Sequence, residues 1–338
     1  MKIVFFARFF YPHIGGVEKH VMEISKILIN KGHTVSVITE QLVDTKVKEE
    51  IDGITIYRVT TGGDDWFKKF RIWRGMWDLK NVIEDADIIH CHDIFFWYLP
   101  FRFLYPSKPV YSTFHGFEKF PVPPKAIIVR KFSEKLSFGN ICIGDYLSHW
   151  YRTKPDYVMY GAIKKHDVIT SGMSQKIRIG FVGRLAIDNG MPVYIKIMKL
   201  LKKRKINYQF EAFGDGELRK EVEKYGRVYG FVSNPEEIMK KVDIIFSASY
   251  LGTMEAFQNK KYVISVFDDL LKEYVLNTAP WKDWITITDD PEKACTTIMD
   301  IHKNPESYIE RIQSSYKWVQ TQTWENATNV YLKLWKKK

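Results

Sequence analysis

The opening segment constrains the fold of this chain most. Lys2-Ile3-Val4-Phe5-Phe6 reads as a buried strand, and Arg8-Phe9-Phe10-Tyr11-Pro12-His13-Ile14-Gly15-Gly16 follows it. From Val17 to Lys31 the apolar positions Val17, Val21, Ile24, Ile27 and Leu28 recur at helical spacing and give a core face. Gly32 stops that helix, and Thr34-Val35-Ser36-Val37-Ile38 resumes as a strand. The unit is β-α-β, and its strand-to-helix turn has lost its side chains at Gly15 and Gly16. Such a turn lets backbone N–H groups and the positive end of a helix meet an anion, most often a phosphate. A glycine pair there also serves as a plain tight turn.

A chain of 338 residues has the length of about two domains. Its 45% apolar content supports a large core, which excludes disorder as its ground state. No apolar run approaches the ~20 residues that span a bilayer. The first strand begins at Lys2, and the expectation is that no signal peptide precedes it. Cys91, Cys142 and Cys295 are odd in number, far apart and outside any CxxC spacing, so buried reduced thiols in a cytoplasmic setting are expected. The net charge of +11 attracts something anionic: nucleic acid, acidic lipid or a sugar nucleotide.

Short β-rich runs alternate with helical stretches throughout, which argues for parallel sheets flanked by helices. In the first half, strands are expected at Ile54–Val59, Ile88–Cys91, Val110–Thr113 and Asn140–Ile143. The pattern breaks after Gly161 into a polar stretch ending at Gln175, the best linker candidate. A second alternation follows: Ile177–Val182 ending in Gly183-Arg184, a helix from Met191, Tyr208–Phe213 ending in Gly214-Asp215-Gly216, Asp243–Phe246, and Tyr262–Val266. The expected organisation is an N-terminal Rossmann-like acceptor domain (1–162) and a C-terminal Rossmann-like donor domain (175–310). A final helical segment (311–338) packs back on the first domain. One helix is expected from about Ser307 to Lys336, with Trp318, Trp324, Tyr331 and Trp335. Two doubly wound α/β domains facing a central cleft would bring strand C-termini, where ligands sit in such folds, to one place.

Taken in order, these motifs resemble the retaining GT-B glycosyltransferases of family 4, and the resemblance covers nearly the whole chain. It rests on Tyr11-Pro12-x-x-Gly15-Gly16, Gly32-His33-x-Val35-x-Val37, Ile88-Ile89-His90-x-His92-Asp93 and Thr113-x-His115. In the second half it rests on Phe181-Val182-Gly183-Arg184-Leu185, Gly214-Asp215-Gly216-x-Leu218, Gly230-Phe231, and Ser249 through Glu255-Ala256. The resemblance implies transfer of a sugar from a nucleotide-sugar donor with no metal and no cofactor. It implies that Arg184 binds the donor diphosphate, where a fork of donors meets developing charge. His115 matches the histidine that contacts the donor sugar near the reacting carbon. Glu255 matches the glutamate that accepts from both ribose hydroxyls, and Gly252, Thr253 and Met254 would offer backbone N–H groups to the phosphates. Gly15, Gly16, Gly183, Asn189, Gly214 and Phe231 complete the expected donor-binding set. Each has a plainer explanation: a surface arginine after a strand, a structural histidine, a carboxylate favoured by a helix dipole.

Departures count as well. Where the family usually has a lysine five residues after the arginine, this chain has Asn189. Where it has an acid eight residues before the ribose glutamate, this chain has Ser247. Losing one diphosphate cation costs about 2–4 kcal/mol of transition-state stabilisation unless another residue, such as Lys164 or Lys165, replaces it. His90 and His92 flank Cys91, but a strand turns the thiol away from the imidazoles, so no metal site is expected.

The stretch from Trp66 to Trp77 carries Lys68, Lys69, Arg71 and Arg74, with Trp66, Phe70, Trp73 and Trp77 at helical spacing. A core face explains such a stripe; so does a helix lying in an anionic membrane interface. Phe95 to Tyr105 adds more aromatic residues. The expectation is a cytoplasmic protein, peripheral on the inner face of a membrane, that moves a sugar from a UDP- or GDP-sugar to a glycan or lipid-linked acceptor. No nucleic-acid module is present. The rivals are a sugar-nucleotide epimerase on the same fold and a catalytically weak membrane-associated binding protein. A dinucleotide-dependent dehydrogenase is disfavoured, since neither glycine cluster has GxGxxG spacing.

Overall fold

The computed structural model describes residues 1–13, 15–63, 65–168, 176–232 and 239–336. The expected linker is described as far as Val168, and residues 169–175 fall outside. The chain divides into two compact units, Met1–Gly161 with Trp324–Lys338, and Ala162–Thr323.

The first unit runs β1 (Lys2–Ala7), α1 (Gly16–Asn30), β2 (Thr34–Glu40), β3 (Lys48–Ile51), β4 (Ile54–Val59), α2 (Lys68–Asp78), α3 (Lys80–Asp85) and β5 (Ile88–His92). It continues with α4 (Phe95–Leu104), β6 (Val110–Phe114), α5 (Pro124–Leu136), β7 (Gly139–Ile143), α6 (Tyr146–Tyr151) and β8 (Tyr157–Met159). The strands form one sheet in the order β3-β4-β2-β1-β5-β6-β7-β8. Every pairing is parallel except β3 with β4. Ile3 to Ala7 are all buried, as are all residues of β5, β6 and β7. A parallel strand covered on both faces is buried along its length, and Ile3-Val4-Phe5-Phe6-Ala7 meets that with an unbroken apolar run. The sheet order reverses direction between β1 and β5, and the C-terminal ends of neighbouring strands at that point form the ligand crevice of doubly wound folds.

The second unit runs β9 (Ile177–Val182), α7 (Met191–Lys203), β10 (Tyr208–Phe213), α8 (Arg219–Val222), β11 (Arg227–Val228), β12 (Ile244–Phe246) and α9 (Tyr250–Gln258). β13 (Tyr262–Val266), α10 (Leu270–Asn277), β14 (Thr286–Thr288), α11 (Pro291–Lys303) and α12 (Glu306–Val319) follow. Its parallel sheet has the order β11-β10-β9-β12-β13-β14, so the reversal falls at β9.

The single helix expected at the C-terminus is two. After α12 the chain leaves helical geometry, and α13 (Trp324–Trp335) begins afresh in the first unit. The cause is a strand-like bridge: Ile163 N–H donates to the Gln322 carbonyl at 2.9 Å, and Ile163 pairs with Thr323. Those groups are therefore taken from the helical ladder.

Candidate active site

In the first unit the C-terminal ends of β1, β5 and β6 lie side by side, with Ala7 opposite His92 and His92 opposite Thr113. The turn after β1 delivers Gly15 and Gly16 to the start of α1. Gly15 is extended, with φ −164°, so its glycine has a contact reason. A Cβ there would sit 2.3 Å from Glu18 Oε2, whereas Gly16 has nothing within 4 Å of that position. Glu18 is held by His13, 2.9 Å from its Nδ1, and as a first-turn acid it is favoured by the helix dipole. The protein's own carboxylate thus stands where the sequence suggested a ligand phosphate.

Behind this turn four histidines gather from three elements: His20 on α1, His90 and His92 on β5, and His115 just past β6. The His90 and His92 ring centroids are 5.1 Å apart, and those of His92 and His115 are also 5.1 Å apart. Alternation along β5 puts both imidazoles on one face, while Cys91 joins the opposite core with Val4, Phe6 and Tyr98. Helix α13 covers the layer with Trp324, Tyr331 and Trp335, all buried. Trp335 Nε1–H donates to His90 Nδ1 at 3.0 Å. His90 Nε2 meets Thr113 Oγ1 at 2.7 Å, Thr113 Oγ1 meets the Tyr331 hydroxyl at 2.9 Å, and that hydroxyl meets His20 Nε2 at 2.8 Å.

An indole nitrogen only donates, and this sets the direction of the chain. His90 Nδ1 accepts, so its Nε2 carries the hydrogen and donates to Thr113. Thr113 then donates to Tyr331 and Tyr331 to His20, which leaves no hydroxyl hydrogen without an acceptor. Burial, ahead of repulsion from His115, holds the pKa of His20, His90 and His92 well below the usual histidine value, so all three are neutral.

His115 is half-buried at the edge of this layer. Its backbone N–H donates to Asp93 Oδ1 at 3.1 Å, and its carbonyl accepts from the Tyr146 hydroxyl at 3.1 Å. Asp93 takes a left-handed φ of 61° at the end of β5. Arg130 on α5, almost fully buried, braces the loop from behind. Its Nη2 donates to the Gly116 carbonyl and lies 3.4 Å from Glu118, and its guanidinium sits 4.0 Å over the Tyr151 ring. Burial, and secondly the Arg130 charge, push the His115 pKa down. A neutral imidazole in that place offers hydrogen bonds, not charge.

In the second unit β9 ends at Gly183, φ 144°, and Arg184. Arg184 is largely exposed, its side chain 63% accessible, and it pairs with Asp188 at 2.6 Å. Asn189 Nδ2 donates to the Arg184 carbonyl at 3.0 Å, so this residue, lacking a cation, holds the loop. Gly214 is required by close approach, because a Cβ there would lie 1.8 Å from the Gly183 carbonyl oxygen. Phe231 is exposed. At the start of α9, Ser249 caps the helix: its Oγ accepts from Gly252 N–H at 3.2 Å, and its carbonyl accepts from Thr253 N–H at 3.0 Å. Gly252, Thr253 and Met254 are all buried, and two of the three N–H groups expected to face phosphates already serve this cap. Glu255 follows, half-buried. Ser247, at the position lacking the acid, lies within 3.3 Å of Thr253 Oγ1. Lys164 and Lys165 are exposed.

Sequence reasoning missed His20, Arg130, Tyr331 and Trp335. His20 was legible from its helical spacing to Val17 and Ile24 on the core face of α1. Tyr331 and Trp335 depend on chain returns of more than two hundred residues, and Arg130 on a shorter one to the loop holding Gly116 and Glu118.

The aromatic stripe of α2 faces outward. Ile72 and Met76 are its buried residues, while Trp66, Phe67, Phe70 and Trp77 are exposed. Trp73 is the inward aromatic: its Nε1–H donates to the Phe96 carbonyl at 3.1 Å. Lys68 bonds Glu40, and Arg71 bonds the Thr61 and Gly63 carbonyls and Asp65, so Lys69 and Arg74 are the exposed cations of the set. Among the described residues no helix is long and apolar enough to cross a membrane.

Two doubly wound units, each built on a mainly parallel sheet, give the chain the GT-B fold. Anabaena HepE, solved in complex with UDP and glucose, superposes with a TM-score of 0.77 at 12% identity over 98% of both chains. Residues 14–153 match the model of Glycosyltransferase Family 4, and with the fold this makes the chain a glycosyltransferase, a transferase of the EC 2.4 type. An uncharacterized 42.6 kDa protein in the cps region of Klebsiella pneumoniae is 22% identical over 72% of this chain and 78% of its own length. The gpi3 subunit of phosphatidylinositol N-acetylglucosaminyltransferase from Schizosaccharomyces pombe is 34% identical over 25% of this chain, which spans 19% of that protein.

Proposed function

We propose that this glycosyltransferase takes a UDP- or GDP-sugar as donor, retains the anomeric configuration, and delivers the sugar to a glycan or lipid-linked acceptor. The second unit holds the donor through Gly183, Arg184 and Glu255. The first unit holds the acceptor through Gly15, Gly16 and His115. The observation that carries this reading is Arg184, placed just past the C-terminal end of β9 where the sheet order reverses. Ligands of such sheets sit there, and a guanidinium suits a diphosphate leaving group. Retention and metal independence rest on the family resemblance. In the ligand-bound protein Arg184 exchanges Asp188 for phosphate oxygens.

Thermal stabilisation across a panel of nucleotide sugars tests the reading, because a ligand that binds only the folded state raises the melting temperature. A shift with at least one UDP- or GDP-sugar, absent in Arg184→Ala, is expected. No shift with any sugar nucleotide defeats it. The Asn189 bond to the Arg184 carbonyl favours a second reading, a weakly catalytic binding protein. Titration with UDP and GDP separates the two, since a scaffold need bind neither. A cytoplasmic position against an anionic membrane belongs to the same proposal, with Trp66, Phe70 and Trp77 as its interfacial residues.

A further inference from the structure

His92 is fully enclosed, and its contacts carry information about His115. The two imidazoles share one hydrogen bond, His92 Nδ1 to His115 Nε2 at 2.8 Å. His92 Nε2 is buried and has no hydrogen-bond partner among the described residues. One hydrogen lies between the two rings, and two arrangements are available to a neutral pair. If it sits on His115 Nε2, then His92 accepts at Nδ1 and carries its own hydrogen on Nε2, where an N–H is buried with no acceptor. If it sits on His92 Nδ1, then His92 Nε2 is a bare lone pair and every N–H of that ring is used. An orphaned buried N–H is the rarer defect, and stranding a donor costs about 1–3 kcal/mol.

We infer that His92 is a positioning residue, donating Nδ1–H to His115 Nε2 and thereby fixing His115 with its hydrogen on Nδ1. The nitrogen His115 keeps for a ligand is then a hydrogen-bond donor. It recognises an oxygen, such as a sugar hydroxyl or ring oxygen, and it has no lone pair there with which to take a proton. His115 is thus an orienting donor and not a general base. That consequence for sugar recognition rests on the proposed role of His115 at the reacting sugar; the tautomer itself does not.

The neighbouring chain supports the assignment. From Trp335 through His90, Thr113 and Tyr331 to His20 Nε2 the hydrogen bonds run in one direction, and His92 lies between this chain and His115, its ring 5.1 Å from those of His90 and His115 and 5.9 Å from that of His20. His20, His90 and His92 are all buried.

The experiment is nitrogen NMR of the full chain labelled with 15N-histidine, reading long-range ring couplings at pH 7.5, with His115→Ala to assign the signals. The expected result is a single His115 tautomer, Nδ1 protonated and Nε2 unprotonated, and the same state for His92. His92→Asn, which places an amide N–H near the Nδ1 position, is expected to keep that state; His92→Leu is expected to lose it, giving a mixture. A His115 protonated on Nε2 in the unmodified protein overturns the inference, as does an unchanged single tautomer in His92→Leu. Should His92→Leu not fold, the measurement on the unmodified chain still decides. No nucleotide sugar is needed, so failure here leaves the glycosyltransferase reading intact, and failure of that reading leaves the tautomer measurable.

Discussion

Trp335 donates its indole hydrogen to His90 Nδ1 across 3.0 Å, joining residues 245 positions apart. This bond ties α13 to β5 and sets the donor-acceptor order of everything beyond it as far as His20. The layer that α13 closes also holds His92 and His115, so the chain's last described helix is part of the support of the candidate site.

Removing the Tyr331 hydroxyl breaks that order. Tyr331→Phe leaves the Thr113 hydroxyl hydrogen without its acceptor and His20 Nε2 without its donor, while Thr113 still accepts from His90 and the aromatic packing on Phe5 and His90 survives. The expected loss is about 1–3 kcal/mol in the first unit. Urea unfolding followed by circular dichroism measures it, and no change in midpoint contradicts the hydrogen-bond order drawn here.

The buried imidazoles predict acid sensitivity of the fold. His20, His90 and His92 have folded pKa values lowered chiefly by burial, while in the unfolded chain they titrate near 6.5. The unfolded state therefore binds more protons below that pH. Their stability contribution is complete above about pH 6.5 and falls as the solution is acidified, by about 1.4 kcal/mol per pH unit for each histidine. Melting temperatures measured from pH 7.5 to 5 are expected to drop before carboxylates begin to protonate. A flat profile over that range contradicts the assignment.

Arg184→Ala is expected to lower kcat by about 10²–10³-fold, as loss of one charge-stabilising donor does. The fold should stay intact, because the guanidinium is exposed and its pairing with Asp188 is a surface ion pair worth about 0–1 kcal/mol. Activity with the donor sugar and the melting curve, taken together, separate the two effects. Full turnover in the variant removes Arg184 from the site.

Gly214→Ala is expected to destabilise the second unit by about 3 kcal/mol or more, since the new Cβ meets the Gly183 carbonyl at 1.8 Å and the residue holds φ 147°. Thermal unfolding of the variant reads this directly. Gly16→Ala, with open space at its Cβ, is the comparison and should be nearly silent in stability.

Replacing Trp66, Phe70 and Trp77 by serine is expected to weaken sedimentation with anionic vesicles at low salt by about ten-fold or more, since three exposed aromatic rings leave the interface. Loss of the fold is not expected, because α2 is anchored by Ile72 and Met76. Equal binding by the triple variant, or none by the parent protein, overturns the membrane proposal.

Much of the fold was legible because parallel strands buried on both faces favour mainly apolar runs, and Ile3 to Ala7, Val110 to Phe114 and Tyr262 to Val266 supply them, the last two with buried Ser112, Thr113 and Ser265 among them. The strand ends were legible too: Gly183, Gly214 and His115 stand where those runs stop. What those residues touch was not legible. Gly15 makes room for Glu18, and Gly214 for the Gly183 carbonyl, where the turn chemistry alone suggested a phosphate. The stripe of α2 carried both an inward and an outward set of apolar residues, and periodicity does not say which one meets a core.

The amino-acid order by itself determined the two alternations of strand and helix, because local periodicity and glycine punctuation act over a few residues. Only the tertiary structure decided the state of the site. Indole, hydroxyl and imidazole groups from α1, β5, β6 and α13 fix one another's hydrogens by contact, and such contacts between distant segments leave no trace in local sequence.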